Sequence, residues 1–177
     1  LQEPGFDERG GLLYEPGATK FELVPDAPTR EDAALALSHL EEIFCDFRFK
    51  NESARSAALA ALLTPFAMPA IAGPLPLFGV IAPTPGAGKT LLVHAISTLA
   101  TGRKTAMIPP TGQVEEQRKR IFAINAEGAA IVLIDNATGA FGDEVISGML
   151  TTRLLRDRTL GESAAPEVPV NGIWFVT

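Results

Sequence analysis

A glycine-rich loop between a short apolar run and a helical pattern constrains the fold of this chain more than any other feature. The loop reads PTPGAGKT from Pro83 to Thr90, and it separates the apolar run 78–82 from the helical pattern 91–100. Glycines let successive backbone N–H groups turn toward one anion, and the N-terminus of the following helix adds its dipole. The order of strand, loop and helix therefore predicts a phosphate-binding loop. The alternative is a glycine-rich turn with an incidental Lys-Thr pair.

The last three residues of this loop match the Walker A pattern. We expect Lys89 to reach the β- and γ-phosphates of a nucleotide and the Thr90 hydroxyl to bind Mg²⁺. Pro83 stands where the strict pattern has glycine, so the loop begins at a rigid position that lacks an N–H donor, and the donors come later in the loop. The predicted phosphate-binding residues are Pro85, Gly86, Ala87, Gly88, Lys89, Thr90 and Leu91.

A second apolar run, Ile131 to Ile134, predicts a strand that is buried on both faces of a parallel sheet. Asp135 follows it directly. In a chain with a phosphate-binding loop, a carboxylate at the tip of another core strand predicts a residue that holds Mg²⁺ through water. A strand that simply ends in a turn acid is the alternative.

The identity of a catalytic base is left open by the sequence. Asn136 follows Asp135 at a position where many ATPases have a glutamate, and an amide cannot accept the proton of an attacking water. Glu116, with its neighbour Glu115, is a candidate base on the next helix. However, Glu116 and Arg120 are spaced i,i+4, and such a pair also stabilises an exposed helix.

The remaining patterns predict an α/β fold with a mainly parallel sheet flanked by helices. Strands are expected at 105–108 and 173–176, and helices at 114–126 and 143–150. We therefore divide the chain into an N-terminal segment, 1–76, and a P-loop core, 77–177. Hydrophobic residues make up 46% of the chain, and no apolar run is long and uninterrupted enough to span a membrane. We expect a cytoplasmic protein that does not contact membranes.

The N-terminal segment is predicted to be an irregular arm, with room for one hairpin, followed by two helices. Thr29 is a good N-cap for the first helix, with Asp32 at the capping-box position. The second helix is expected at 53–63, ending before Pro65. This segment holds 12 acidic and 6 basic residues whereas the core holds 9 of each, so the net charge of −6 does not exclude DNA as a partner of the core.

With these motifs in hand, the segment 78–177 resembles the ATPase core of AAA+ proteins. Within them it is similar to the superfamily 3 helicase-like ATPases of phages, plasmids and integrated elements. The resemblance rests on the sequences GAGKT, IVLIDN and RTLGES and on the final strand IWFVT. It implies ATP and Mg²⁺ as cofactors, a ring-shaped homo-oligomer and DNA as a partner. It also implies a polar sensor residue just after Thr177, so we expect the core to be incomplete at its C-terminus.

The resemblance further implies a hairpin with DNA-binding basic residues between the two last core strands. The corresponding residues here are Arg153, Arg156 and Arg158. They can bind DNA phosphates or act on the γ-phosphate of a neighbouring subunit. A solvated surface loop, with Asp157 and Glu162 as partners, is the alternative.

Together these features predict the ATP-binding and ATP-hydrolysing motor domain of a DNA helicase or replication protein from a mobile element. Its expected catalytic residues are Lys89, Asp135 and Glu116, and its Mg²⁺ ligands are Thr90 and, through water, Asp135. A P-loop kinase or other phosphotransferase is one alternative. A nucleotide-binding assembly module without hydrolysis, suggested by Asn136, is the other.

Overall fold

The helix that precedes the sheet belongs with the sheet and not with the acidic arm. The computed structural model describes residues 3–8, 12–18, 20, 23–139, 141–156 and 166–177. The chain forms two units, residues 1–44 and 45–177. The second unit begins well before the expected boundary at 77, because helix 52–67 packs against helix 89–101.

The described part of the first unit contains a hairpin and one helix. Strands β1 (Gly5–Asp7) and β2 (Leu12–Tyr14) pair antiparallel. Helix α1 (Arg30–Glu42) begins after Thr29, whose hydroxyl accepts from the Asp32 N–H while the Asp32 carboxylate accepts from the Thr29 N–H. The predicted hairpin and the predicted capping box are thus confirmed. No residue of α1 is buried, so the apolar positions of this helix are not part of a core.

The second unit is built on four parallel strands. They are β3 (Leu77–Gly79), β4 (Ala106–Ile108), β5 (Ile131–Ile134) and β8 (Ile173–Val176), and their order in the sheet is β3-β8-β5-β4. Every neighbouring pair is parallel. This confirms the predicted α/β fold with a parallel sheet. Because the strands are parallel, their carboxyl ends all meet at one edge of the sheet.

Within the described residues of the second unit, four α-helices and a small antiparallel pair accompany the sheet. The helices are α2 (Glu52–Ala67), α3 (Lys89–Thr101), α4 (Val114–Ala126) and α5 (Glu144–Thr151), with a short 3₁₀ turn at Met68–Ala70. Strands β6 (Leu154–Arg156) and β7 (Glu167–Pro169) form the antiparallel pair. No helix within the described residues combines the length and the apolar character that crossing a bilayer requires.

Helices cover both faces of the sheet. On one face, Val132 and Ile134 of β5 and Trp174 of β8 pack with buried residues of α4 and α5. Side chains alternate along a strand, so Leu133 and Phe175 point to the other face, where α2 and α3 lie. All four residues of β5 are buried, as expected for a central strand.

Two predictions about local structure were wrong. Helix α2 does not stop before Pro65 but continues to Ala67, and the Met68 N–H still donates to the Thr64 carbonyl. Proline removes one backbone hydrogen bond from the helix, and burial of residues such as Leu62 stabilises the helix enough to compensate for this loss. The predicted buried strand at 78–82 ends at Gly79 and lies at the edge of the sheet, which leaves Ile81 95% exposed.

Candidate functional site

The carboxyl edge of the sheet gathers the residues that the two sequence motifs single out. The loop 80–88 leaves the end of β3 and leads directly into α3, whereas Asp135 follows β5 and Thr177 follows β8. Because β8 lies between β3 and β5, its end stands between the two motifs. Ligands of open parallel sheets bind at this edge, outside the carboxyl ends of the strands.

The glycine-rich loop adopts the curled conformation that the sequence predicts. Gly86 and Gly88 have φ angles of 74° and 83°, which side chains larger than hydrogen rarely adopt. Gly88 is also the N-cap of α3, and no side chain caps the N–H groups of the first helical turn. These donors and the helix dipole together form an environment that favours an anion.

A depression of about 450 Å³ lies over the loop. All seven predicted phosphate-binding residues line it, together with residues 82–84 and Asn136. The Lys89 side chain therefore belongs to a concave surface that already presents backbone donors. The described geometry brings the predicted loop residues together as one surface.

Three side chains donate hydrogen bonds to the carboxylate of Asp135. The hydroxyls of Thr90 and Thr177 both donate to Oδ1, at 2.9 and 2.6 Å, and the Asn136 amide donates to Oδ2 at 3.2 Å. The Thr90 contact joins the loop to the end of β5, which are 45 residues apart in sequence. The two motifs thus form a single site.

The residues at this junction fit Mg²⁺. A hydroxyl and one carboxylate are oxygen ligands, which Mg²⁺ prefers, and Mg²⁺ in phosphate-binding sites takes few protein ligands because phosphates and waters complete its shell. Within the described ranges there is no cluster of three or more His, Cys, Asp or Glu side chains that would hold a metal without a phosphate.

Asn136 adopts a left-handed backbone conformation with φ of 60°, and among the described residues it is the one non-glycine with positive φ. Asparagine tolerates this conformation better than most residue types. Its N–H donates to the Thr177 hydroxyl at 3.1 Å. The turn after β5 is therefore fixed to the end of β8, and it directs the Asn136 amide toward Asp135.

A second cavity, of about 220 Å³, adjoins the phosphate-binding depression. It shares Gly88 and Lys89 with the depression, and a Cβ built on Gly88 would lie 3.7 Å from the ring of Phe47. Aromatic and aliphatic side chains of both the 47–50 segment and the sheet line it, including Phe49, Phe78 and Phe175. A nucleotide combines a base with a charged phosphate chain, and an apolar cavity beside a phosphate-binding surface suits these two parts.

Glu116, the candidate base, is paired with Arg120. The Arg120 Nε donates to Glu116 Oε1 at 2.8 Å, and the same guanidinium also donates to the Pro109 carbonyl at 3.2 Å. This is the i,i+4 pair that the structural alternative predicts. Glu116 does not line the depression over the loop.

The two described arginines of the predicted hairpin region make contacts within the second unit. Arg153 donates to the Ile71 carbonyl at 2.9 Å, and Arg156 pairs with Glu167 across β6 and β7. Arg158, Asp157 and Glu162 lie outside the described residues. An antiparallel pair is present where the resemblance implies a hairpin, and its Arg156 is paired with Glu167 rather than with Asp157 or Glu162.

Sequence reasoning missed two contributions to this site. The resemblance implies a sensor residue just after Thr177, whereas the Thr177 hydroxyl itself contacts Asp135. The only sequence signal was a hydroxyl residue directly after a core strand. The segment 47–50, which reads FRFK, was not linked to the loop at all, although its alternating aromatic and basic residues line the second cavity.

No protein-family model, curated protein or solved structure matches this chain.

Proposed function

We propose that this chain binds ATP together with Mg²⁺ at the carboxyl edge of the sheet and hydrolyses it. The observation that carries the proposal is the hydrogen bond from Thr90 to Asp135, because it joins a curled, anion-binding loop to a strand-end carboxylate. This is the arrangement in which P-loop nucleoside triphosphatases hold Mg²⁺. The function predicted from the two motifs thus has geometric support.

Each residue has a distinct role in the proposed binding. Backbone N–H groups of residues 86–90 surround the phosphates, and the Lys89 ammonium contacts the β- and γ-phosphate oxygens. The Thr90 hydroxyl donates a hydrogen bond to Asp135, so its lone pairs would be free to hold Mg²⁺, and the Asp135 carboxylate would hold the same ion through water. The bound metal would neutralise charge on the phosphates. The base and ribose occupy the apolar cavity beside Phe47.

The route of hydrolysis differs from that of enzymes with a glutamate after the strand-end aspartate. The Asn136 amide can orient a water molecule by hydrogen bonding but cannot accept its proton. The Glu116 carboxylate, paired with Arg120, would have to leave this partner to act as a base. We therefore expect slow hydrolysis by the chain alone. The second candidate function, a nucleotide-binding assembly module, is favoured by the same Asn136.

The binding proposal is tested by isothermal titration calorimetry with ATP and Mg²⁺. Replacing Lys89 by alanine removes a charged donor to the phosphates, so we expect affinity to fall by about 10- to 100-fold. The matched control is Lys104→Ala, which removes an exposed lysine of the same unit away from the depression. Equal affinity of Lys89→Ala and the parent chain would overturn the assignment of the loop.

The finer proposal is a DNA-acting motor that works as a homo-oligomeric ring, and it is supported by the sequence resemblance. Measuring phosphate release with and without single- and double-stranded DNA separates the candidates. A motor predicts release that DNA stimulates and no transfer of phosphate to added nucleosides. Transfer to an acceptor would favour a kinase, and binding without release would favour the assembly module.

A further inference from the structure

Thr177 has the most constrained hydroxyl group of the site. The residue is 9% exposed, and its Oγ1 accepts one hydrogen bond and donates another. It accepts from the Asn136 N–H at 3.1 Å and lies 2.6 Å from Asp135 Oδ1. A backbone N–H can only donate, so the single proton of the hydroxyl is available for the carboxylate.

The backbone of Thr177 is fixed as firmly as its side chain. Its N–H donates to the Ile134 carbonyl at 3.1 Å, and its own carbonyl accepts from the Ala137 N–H at 2.8 Å. These bonds extend the β5–β8 pairing past the ends of both strands. Consequently the position of the hydroxyl relative to Asp135 is set by the sheet and not by a mobile side chain.

Thr177 and Thr90 share one carboxylate oxygen but differ in what else they can contact. Thr90 begins the helix that follows the loop and lines the depression, whereas Thr177 does not line it. Two hydroxyl donors on Oδ1 and an amide donor on Oδ2 hold both oxygens of the carboxylate. Without the Thr177 hydroxyl, the one remaining hydroxyl donor among these contacts would be that of Thr90. Thr90 is itself a metal ligand in the proposed function.

We propose that Thr177 is a positioning residue that orients Asp135 for Mg²⁺ binding. It acts through Asp135 and not by contact with nucleotide or metal. This inference rests on the proposed function, since it assigns a role to Thr177 at that same site. Hydrogen-bond partners of groups around a metal typically change metal affinity by 10- to 100-fold when they are removed.

The test compares Thr177→Val, which keeps the shape but removes the hydroxyl, with Thr177→Ser, which keeps the hydroxyl. The readout is the Mg²⁺ concentration that half-saturates its effect on ATP binding, measured by calorimetry on the whole chain. We expect valine to raise this concentration about tenfold or more and serine to restore it to near the parent value. Binding of ATP in the presence of EDTA should remain unchanged in both variants.

Thr105→Val is the matched control. Thr105 is also a buried threonine of the second unit, 7% exposed, and its hydroxyl bonds to the Val93 carbonyl at 3.3 Å and not to Asp135. A loss of stability without a change in Mg²⁺ dependence is expected for this variant. If Thr105→Val shifts the Mg²⁺ dependence as far as Thr177→Val does, a general structural effect explains both and the positioning role is overturned.

A double variant tests whether Thr177 acts through Asp135. In an Asp135→Asn background, Thr177→Val should shift the Mg²⁺ dependence no further, and an additive shift would contradict the proposal. If circular dichroism shows that Thr177→Val does not fold, Thr177→Ala replaces it with the same expectation. Parent Mg²⁺ dependence in Thr177→Val overturns this inference alone, whereas failure of the parent chain to bind ATP overturns the proposed function.

Discussion

Helix α1 of the first unit and strand β5 of the second are stabilised in opposite ways. None of the 13 residues of α1 is buried, and its N-terminus is defined by a reciprocal pair of hydrogen bonds between Thr29 and Asp32. All 4 residues of β5 are buried between helices, and no local contact would keep such a short strand in place. Local hydrogen bonds thus define the start of α1, whereas tertiary packing holds in place the strand whose carboxyl end carries the candidate site.

The largest expected effect is on the buried strand. Leu133 is 0% exposed, so Leu133→Ala should lower the free energy of unfolding by about 2–5 kcal/mol through lost burial and a cavity. Leu35→Ala in α1 is the control, because Leu35 is 59% exposed and its replacement should change the free energy by less than about 0.5 kcal/mol. Urea denaturation followed by far-ultraviolet circular dichroism measures both, since each of the two units contains helix. Equal losses of unfolding free energy in the two variants would contradict this difference between α1 and β5.

A smaller effect is expected at the β6–β7 pair, which belongs to the second unit but is largely exposed. The side chains of Arg156 and Glu167 are 74% and 42% exposed, so their ion pair is screened by water. A double-mutant cycle with Arg156→Ala and Glu167→Ala should give a coupling energy of about 0.2–1 kcal/mol by urea denaturation. This value would show that burial, and not membership of a unit, decides how much a contact contributes. A coupling of several kcal/mol would refute that reading.

The smallest expected effect is at the start of α1, and it depends on pH. The pKa of Asp32 lies below its ordinary value of 3.8 because the Thr29 N–H and then the Thr29 hydroxyl donate to the carboxylate. The ionised form is therefore favoured in the folded state. Its contribution to stability is complete above the unfolded pKa and is lost as the pH falls through the lowered folded pKa.

Thr29→Ala should raise the pKa of Asp32 toward 3.8, although the backbone donor remains. An NMR titration of the Asp32 carboxyl carbon measures the shift. Ser38→Ala is the control, because the Ser38 hydroxyl donates to the Leu35 carbonyl in the same helix and does not contact Asp32. An unchanged pKa in Thr29→Ala would show that the Thr29 hydroxyl does not stabilise the ionised Asp32 carboxylate.

The sequence was most informative where local signals act alone. The capping residues place the start of α1, and helix α4 has the bounds 114–126 that its pattern predicts. The continuous apolar run of β5 predicts both a buried central strand and the placement of Asp135 at its end. The turn conformation of the glycine-rich loop and the helix that follows it agree with the sequence pattern, because glycine conformation and helix start are local properties.

The sequence was least informative where distant residues meet. Burial of α2 against α3 overrides the stop signal of Pro65, and sheet order decides that β3 is an edge strand and leaves Ile81 exposed. Arg153 contacts the Ile71 carbonyl and Arg156 contacts Glu167, and no spacing rule connects either pair. Thr177 meets Asp135 because two strands far apart in sequence lie side by side.

The left-handed conformation of Asn136 restricts which chemistry can evolve at this position. A glutamate there would have to adopt a φ of 60°, which costs an ordinary L-residue about 1–2 kcal/mol, whereas asparagine and glycine adopt it readily. It would also lose the amide that donates to Asp135. A single substitution to glutamate at this position therefore costs both conformational energy and a hydrogen bond to Asp135, so the backbone favours asparagine or glycine over a catalytic base.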